Sequence, residues 1–203
     1  MKEAAIILIS YLLGSISFAY IFAKLFKGID IRKYGTKNAG TSNVFLVVGK
    51  TAGILTLIGD LAKGAAAVLI AIYFAMPEYI VILAGTAAIL GHIYPIFLQF
   101  RGGKGTATFL GMMIPLVPIE LLISLGILIL LSLITKRLLL AQLISLTIIP
   151  FLAGYFYNRS LTIVIGISLI ILSGWIIGIY VHKKNLISTK HYYKLMKKLS
   201  LNL

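Results

Sequence analysis

The feature that most limits what this chain can fold into is a succession of apolar runs, most of them about 20 residues long, separated by short segments that hold almost all the charge. With a rise of about 1.5 Å per residue, a helix of about 20 residues matches the roughly 30 Å hydrocarbon core of a bilayer. The chain is 60% hydrophobic and only 12% charged, with a mean hydropathy of +1.05. Soluble domains carry about 25% charged residues, and a soluble core cannot absorb this much apolar surface. In lipid the backbone amides find no water, so a spanning segment must be a helix or part of a closed barrel. Continuous apolar runs rather than strict alternation select the helix. An all-α, polytopic integral membrane protein is therefore expected, with residues 1–203 forming a single membrane domain.

The expected transmembrane helices, about seven in number, cover residues 4–26, 51–74, 79–98, 106–117, 121–135, 138–157 and 161–181. The fourth and fifth are short, and Pro115, Pro118 and Glu120 separate them. One kinked re-entrant helix is the alternative to two separate spans, which is the reading adopted. The first run is too long for the apolar region of a signal peptide, and no A-x-A-like cleavage site follows it.

Charge placement sets the orientation. With seven spans, 16 of the 19 Lys and Arg residues share one side, Lys2 and Arg159 fall on the other, and Lys63 stays inside. By the positive-inside rule the crowded side is cytoplasmic, which puts the amino terminus outside, the carboxyl terminus inside and the protein in the cell membrane. Glu3, Glu78 and Glu120 fall on the sparse side. A formal charge of +14 can suggest nucleic acid, but charges confined to short loops between apolar runs face lipid head groups or anionic substrates instead. Residues 188–203 set Tyr192, Leu195, Met196 and Leu199 at helical spacing among lysines, an amphipathic cytoplasmic tail. The chain has no cysteine, which removes disulfides, thiolate metal sites and cysteine nucleophiles.

Two loops on the basic side concentrate the residue types that phosphate binding needs. The first runs from Asp30 to Asn43 and contains Arg32, Gly35, Thr36, Lys37, Asn38, Gly40 and Thr41, which offer turns, hydroxyls, amides and cations. The second runs from Gly91 to Thr108. Within it Arg101 and Lys104 flank Gly102 and Gly103, and Gly105 opens the next helix, the physics of a phosphate cradle at a helix start. Walker A spacing is absent. His92, near the cytoplasmic end of its span, is either a general acid/base or a hydrogen-bonded structural residue. Asp60 and Lys63, three apart on one helix face at membrane depth, are expected to neutralise one another.

Together these segments resemble the bacterial acyl-phosphate-dependent glycerol-3-phosphate acyltransferases, whose patterns are approximately D-x-R-x-x-G-S-G-N-x-G-A-T-N and G-H-x-x-P-x-F-x-x-F-K-G-G-K-G-V-A-T. The second pattern is the more specific, and Gly91, His92, Pro95, Phe97, Phe100, Gly102, Gly103, Lys104, Gly105, Ala107 and Thr108 stand at its spacing. Gly14-Ser15, Asp60-Leu61-Ala62-Lys63-Gly64 and the span layout also correspond.

The resemblance implies transfer of a fatty acyl group from acyl phosphate to the 1-hydroxyl of sn-glycerol 3-phosphate, giving 1-acylglycerol 3-phosphate and phosphate for phospholipid synthesis. His92 and Lys104 are then the candidate catalytic residues. The candidate phosphate-binding residues are Ser15, the loop residues already named and, from a third motif, His182 and Asn185. No metal, coenzyme A or other cofactor is implied, and the oligomeric state is left open, a monomer included. The departures from the family pattern are Leu46 for an arginine, Thr36-Lys37 for Ser-Gly, Leu140 near a usual serine, Arg101 for a lysine, and a third motif reduced to His182-Lys183-Lys184-Asn185 without its glutamate. A silent lipid-binding paralogue is the main rival. A transporter is disfavoured by the lack of an internal repeat.

Overall fold

The computed structural model describes residues 1–155 and 160–174. Among the described residues all regular structure is helical: α1 (Lys2–Ser15), α2 (Phe18–Lys27), α3 (Thr41–Val47), α4 (Lys50–Tyr73), α5 (Glu78–Ile93), α6 (Thr106–Leu116), α7 (Pro118–Thr135), α8 (Leu138–Tyr155) and α9 (Leu161–Gly174). Four stretches are long and apolar enough to cross a membrane: Lys2–Lys27, Lys50–Tyr73, Glu78–Leu98 and Pro118–Thr135. Arg159, His182, Asn185, the ends of the last two expected spans and the 188–203 tail lie outside the described residues.

The first expected span is interrupted. Ile16 leaves the helix at ψ 112°, and Ser17 restarts it by accepting a hydrogen bond from the Tyr20 amide at 3.4 Å, the N-cap role that serine side chains favour. Residues 79–98 likewise divide into α5 and a single 3₁₀ turn, Ile96–Leu98, because Pro95 has no amide proton and disfavours helical backbone at Tyr94. α6 and α7 are separate helices joined through Val117 alone. Pro118 occupies the first turn of α7, where its missing amide costs no bond, and Glu120 is inside that helix and fully buried. α6 has 11 residues, roughly 16 Å of helix, about half of a bilayer core.

Small residues let the helices touch through their backbones. α1 packs along α5, where a Cβ on Gly14 would enter Ala88 and one on Gly91 would enter the Tyr11 carbonyl. α4 packs along α6 in the same way, with Gly64 against Thr108 and Gly111 against Leu61. This is the packing expected where lipid gives no hydrophobic drive between helices. The interior is filled by Val68, Ala84, Met112, Met113, Val117, Ile149 and Ile167, while Leu69, Leu122, Leu130 and Leu133 face outward, as lipid permits.

The two ends of the bundle differ. At one, the Tyr79 hydroxyl lies 3.3 Å from the Glu3 carboxylate, and Ser160 hydrogen-bonds Glu78. At the other, a second apolar cluster of Ala19, Ala23, Ile31, Ala39, Val44 and Ala52 supports the first glycine-containing loop.

Candidate functional site

The first loop is organised by its own side chains. Asp30 caps the 3₁₀ turn Ile31–Lys33, accepting the Arg32 amide at 3.1 Å. Its carboxylate also receives Arg32 Nε at 2.9 Å and Nη2 at 2.8 Å, the bidentate geometry that makes such pairs strong. This guanidinium holds the Asp30 carboxyl below its ordinary range, and Asp30 in turn raises Arg32. Arg32 lies over the Tyr20 ring at 5.5 Å.

Asn43 is the hub of this loop. It is buried, its Oδ1 accepts the Thr36 amide at 2.8 Å, and its Nδ2 donates to the carbonyls of Ile31, Tyr34 and Asn38 at 3.0–3.1 Å. Gly35 passes directly over the Asn43 oxygen with φ +57°, so no side chain fits there. Lys37 also has positive φ, +59°, at the position where the family pattern has glycine, and its side chain is exposed. Gly40 begins α3, and the buried Thr41 hydroxyl has no hydrogen-bond partner.

The second loop is organised by backbone. After α5 the chain turns back, so that the Gly103 amide bonds the His92 carbonyl and the Gly102 amide bonds the Ile93 carbonyl, both at 3.1 Å. The loop thereby satisfies the carbonyls that a helix end leaves open. A Cβ on Gly102 would strike the His92 carbonyl and Pro95, and one on Gly103 would strike His92 Nε2 and come within 2.7 Å of the Ala39 carbonyl. Gln99 and Phe100 take positive φ in succession, +56° and +60°, a strained approach to Arg101. Gly105, at φ +81°, starts α6, whose first turn has no side-chain cap. The Thr108 hydroxyl, in that turn, is fully buried and without a hydrogen-bond partner. Arg101 and Lys104 are exposed on either side of the two glycines.

The fold joins the two loops. Arg32 Nη1 donates to the Leu98 carbonyl at 2.8 Å, and Gly103 lies against Ala39. Of the residues anticipated from sequence, Arg32, Asn43, Gly102 and Gly103 therefore build the frame, and Lys37, Arg101 and Lys104 stand exposed on it. Ser15, fully buried where α1 crosses α5, donates to the Tyr11 carbonyl at 2.9 Å.

One constellation escaped the sequence reading as part of the site. Asp60 and Lys63 do pair, at 2.9 Å with 2% and 3% of their side chains exposed, but Asp60 Oδ1 is also 3.4 Å from His92 Nδ1. Lys63 Nζ donates to the Ile16 carbonyl at 2.7 Å and lies 5.9 Å from the Phe18 ring. The Ile16 carbonyl is available because the first span breaks there, and no proline signals that break. No cluster of His, Cys, Asp and Glu suited to a metal occurs among the described residues.

The chain matches the family model for glycerol-3-phosphate acyltransferase over residues 4–191. It is 40% identical to the glycerol-3-phosphate acyltransferase of Geotalea daltonii over 82% of this chain and 85% of that one. With glycerol-3-phosphate acyltransferase 2 of Lactobacillus acidophilus it shares 38% identity over 98% and 96%. Its fold resembles the crystal structures of PlsY (YgiH), an integral membrane glycerol 3-phosphate acyltransferase, in the glycerol 3-phosphate and lysophosphatidic acid forms. Both give a TM-score of 0.77, at 32% and 30% identity, over 92% of this chain and 90% of theirs. Shared sequence along nearly its whole length and a shared helical fold make this chain an integral membrane protein of the glycerol-3-phosphate acyltransferase family.

Proposed function

We propose that the chain transfers a fatty acyl group from acyl phosphate to the 1-hydroxyl of sn-glycerol 3-phosphate, at the cytoplasmic face of the cell membrane. The observation that carries this reading is the interlocking of the two loops, which brings Lys37, Arg101, Lys104 and the uncapped start of α6 to one end of the bundle, with an unpartnered Thr108 hydroxyl beneath. Both substrates carry phosphate and one carries an acyl chain. A cationic, amide-lined rim on an apolar bundle suits both.

In the reaction the glycerol hydroxyl attacks the carbonyl of the mixed anhydride, the new ester C–O bond forms, and the anhydride C–O bond breaks with its electron pair leaving on phosphate. Lys104 and Arg101 neutralise the departing phosphate, and the first-turn amides of α6 point toward it. Phosphate leaves readily, so no strong base is required, and a substrate phosphate oxygen takes the hydroxyl proton. His92 is buried with Nδ1 toward Asp60 and Nε2 against Gly103, an arrangement that favours support of the loop over proton transfer.

The bundle is a single membrane domain of about seven spans with the amino terminus outside. Contacts of Glu3 with Tyr79 and of Glu78 with Ser160, at the end away from the basic loops, support that arrangement.

Purified protein given palmitoyl phosphate and glycerol 3-phosphate is expected to release inorganic phosphate and lysophosphatidic acid in equal amounts. Absence of the lipid product would reject the activity. Cysteines introduced at Lys37 and Glu78 test the sidedness: an impermeant thiol reagent should label only the second in intact cells, and labelling at Lys37 would invert the topology.

A further inference from the structure

We infer that Asp60, neutralised by Lys63, is a positioning residue for the acyl transfer, holding the Gly102–Gly103 loop in register through His92. The inference rests on the proposed function for its kinetic consequence.

Mutual neutralisation accounts for two opposite charges on one helix, and it does not account for their neighbours. Taking two ions out of water costs several kcal/mol each, and an apolar pair of similar volume is often at least as stable, so a buried pair is weak evidence of a stabilising role. Here the pair is tied to three other elements. Lys63 takes the carbonyl exposed by the break between α1 and α2, and Asp60, on α4, faces both Lys63 and the ring of His92 at the end of α5.

His92 lies between this pair and the loop. Its Nδ1 edge faces Asp60, its Nε2 edge lies against Gly103, and its carbonyl accepts the Gly103 amide. Gly103 is confined on its far side by the Ala39 carbonyl of the first loop. A change in the tilt of the imidazole must therefore displace Gly103, and with it the alignment of Lys104 and the α6 start relative to the first loop. Displacement of about 1 Å at a substrate-orienting group is enough to cost large factors in rate or affinity.

Two charge-neutral double variants isolate this role. Asp60→Leu with Lys63→Met removes the acceptor facing His92, whereas Asp60→Asn with Lys63→Met keeps an oxygen there, and neither leaves an unpaired buried charge. The first should raise the KM for acyl phosphate about tenfold with kcat within about twofold, and should speed hydrogen–deuterium exchange in the peptide containing Gly102 and Gly103. The second should stay near the parent in both measurements.

Equal behaviour of the two variants would overturn the inference and leave a purely neutralising pair. A fall in kcat at unchanged KM would also overturn it, by making His92 the base and Asp60 its partner. If the Leu/Met variant fails to fold, His92→Asn, which keeps a donor near the Nδ1 position, is compared with His92→Leu, and equal KM and exchange in these two again overturns it. A parent without turnover would remove the proposed function, while the exchange difference would still report the brace.

Discussion

The two loops are held by opposite constructions. In the first, side chains hold the backbone: Asn43 gathers four backbone groups and Asp30 locks Arg32. In the second, backbone holds backbone: the glycine amides close onto the carbonyls ending α5, with His92 and Ala39 at contact distance. A loop organised by one buried asparagine tolerates exchange of its other residues, and this chain has indeed replaced Ser-Gly by Thr36-Lys37 and an arginine by Leu46, which is 69% exposed. In the second loop a Cβ finds no room at Gly102 or Gly103 and Gly105 takes φ +81°, and these three glycines stand unchanged from the family pattern, while the exposed Arg101 replaces a lysine.

The largest effect is therefore expected at Gly103. Gly103→Ala must displace either the imidazole of His92 or the Ala39 backbone, and turnover should fall roughly hundredfold or more. A variant within threefold of the parent, measured by phosphate release with palmitoyl phosphate, would mean that the loop is more open than its contacts indicate.

Asn43→Ala attacks the other construction. It leaves the Thr36 amide and three carbonyls to find new partners, at a cost of about 1–3 kcal/mol for a buried group so orphaned. Thermal unfolding in detergent should show the loss together with reduced activity. Loss of activity at unchanged stability would instead mark Asn43 as a substrate ligand.

Lys37→Gly sharpens the comparison with a smaller, two-sided effect. The left-handed backbone at Lys37 suits glycine, so stability should rise by about 1 kcal/mol or less. If Lys37 supplies the charge lost with the family arginine at Leu46, the same variant should weaken glycerol 3-phosphate more than acyl phosphate. Adding Leu46→Arg, which meets no packing obstacle at an exposed site, should restore the affinity non-additively, as expected of groups sharing one ligand. Simple additivity would reduce Lys37 to a solvated surface charge.

What was legible beforehand followed from period and placement. Run length gave the helical membrane fold and the limits of α4 to within a residue, and Pro118 marked the boundary between α6 and α7, whereas the expected 79–98 span runs past Pro95, before which α5 ends at Ile93. The break at Ile16 carried no proline: Ser15, Ile16 and Ser17 are all ordinary within a membrane helix, Gly14 is accounted for by its packing against Ala88, and the break is stabilised from a distance by Lys63. The pairing of Asp60 with Lys63 was readable from their spacing of three. Their approach to His92 depends on how α4 and α5 cross, which a linear pattern does not encode. The same limit applies to Arg32, whose residue type suggests a phosphate ligand, yet whose guanidinium links Asp30 to the Leu98 carbonyl of the other loop.

Steady-state kinetics of Lys104→Ala with palmitoyl phosphate and glycerol 3-phosphate test the central claim most directly, namely that the joined loops form a phosphate site for acyl transfer. Lys104 is exposed beside the Gly102–Gly103 turn and is absent from the frame that holds the loops, so its removal should leave the fold intact. Loss of one charged hydrogen bond to a substrate phosphate, worth about 1.5–3 kcal/mol, predicts a roughly ten- to hundredfold fall in kcat/KM with unchanged thermal unfolding. Kinetics indistinguishable from the parent's would contradict the account and reduce Arg101-Gly102-Gly103-Lys104-Gly105 to a basic turn at the membrane surface.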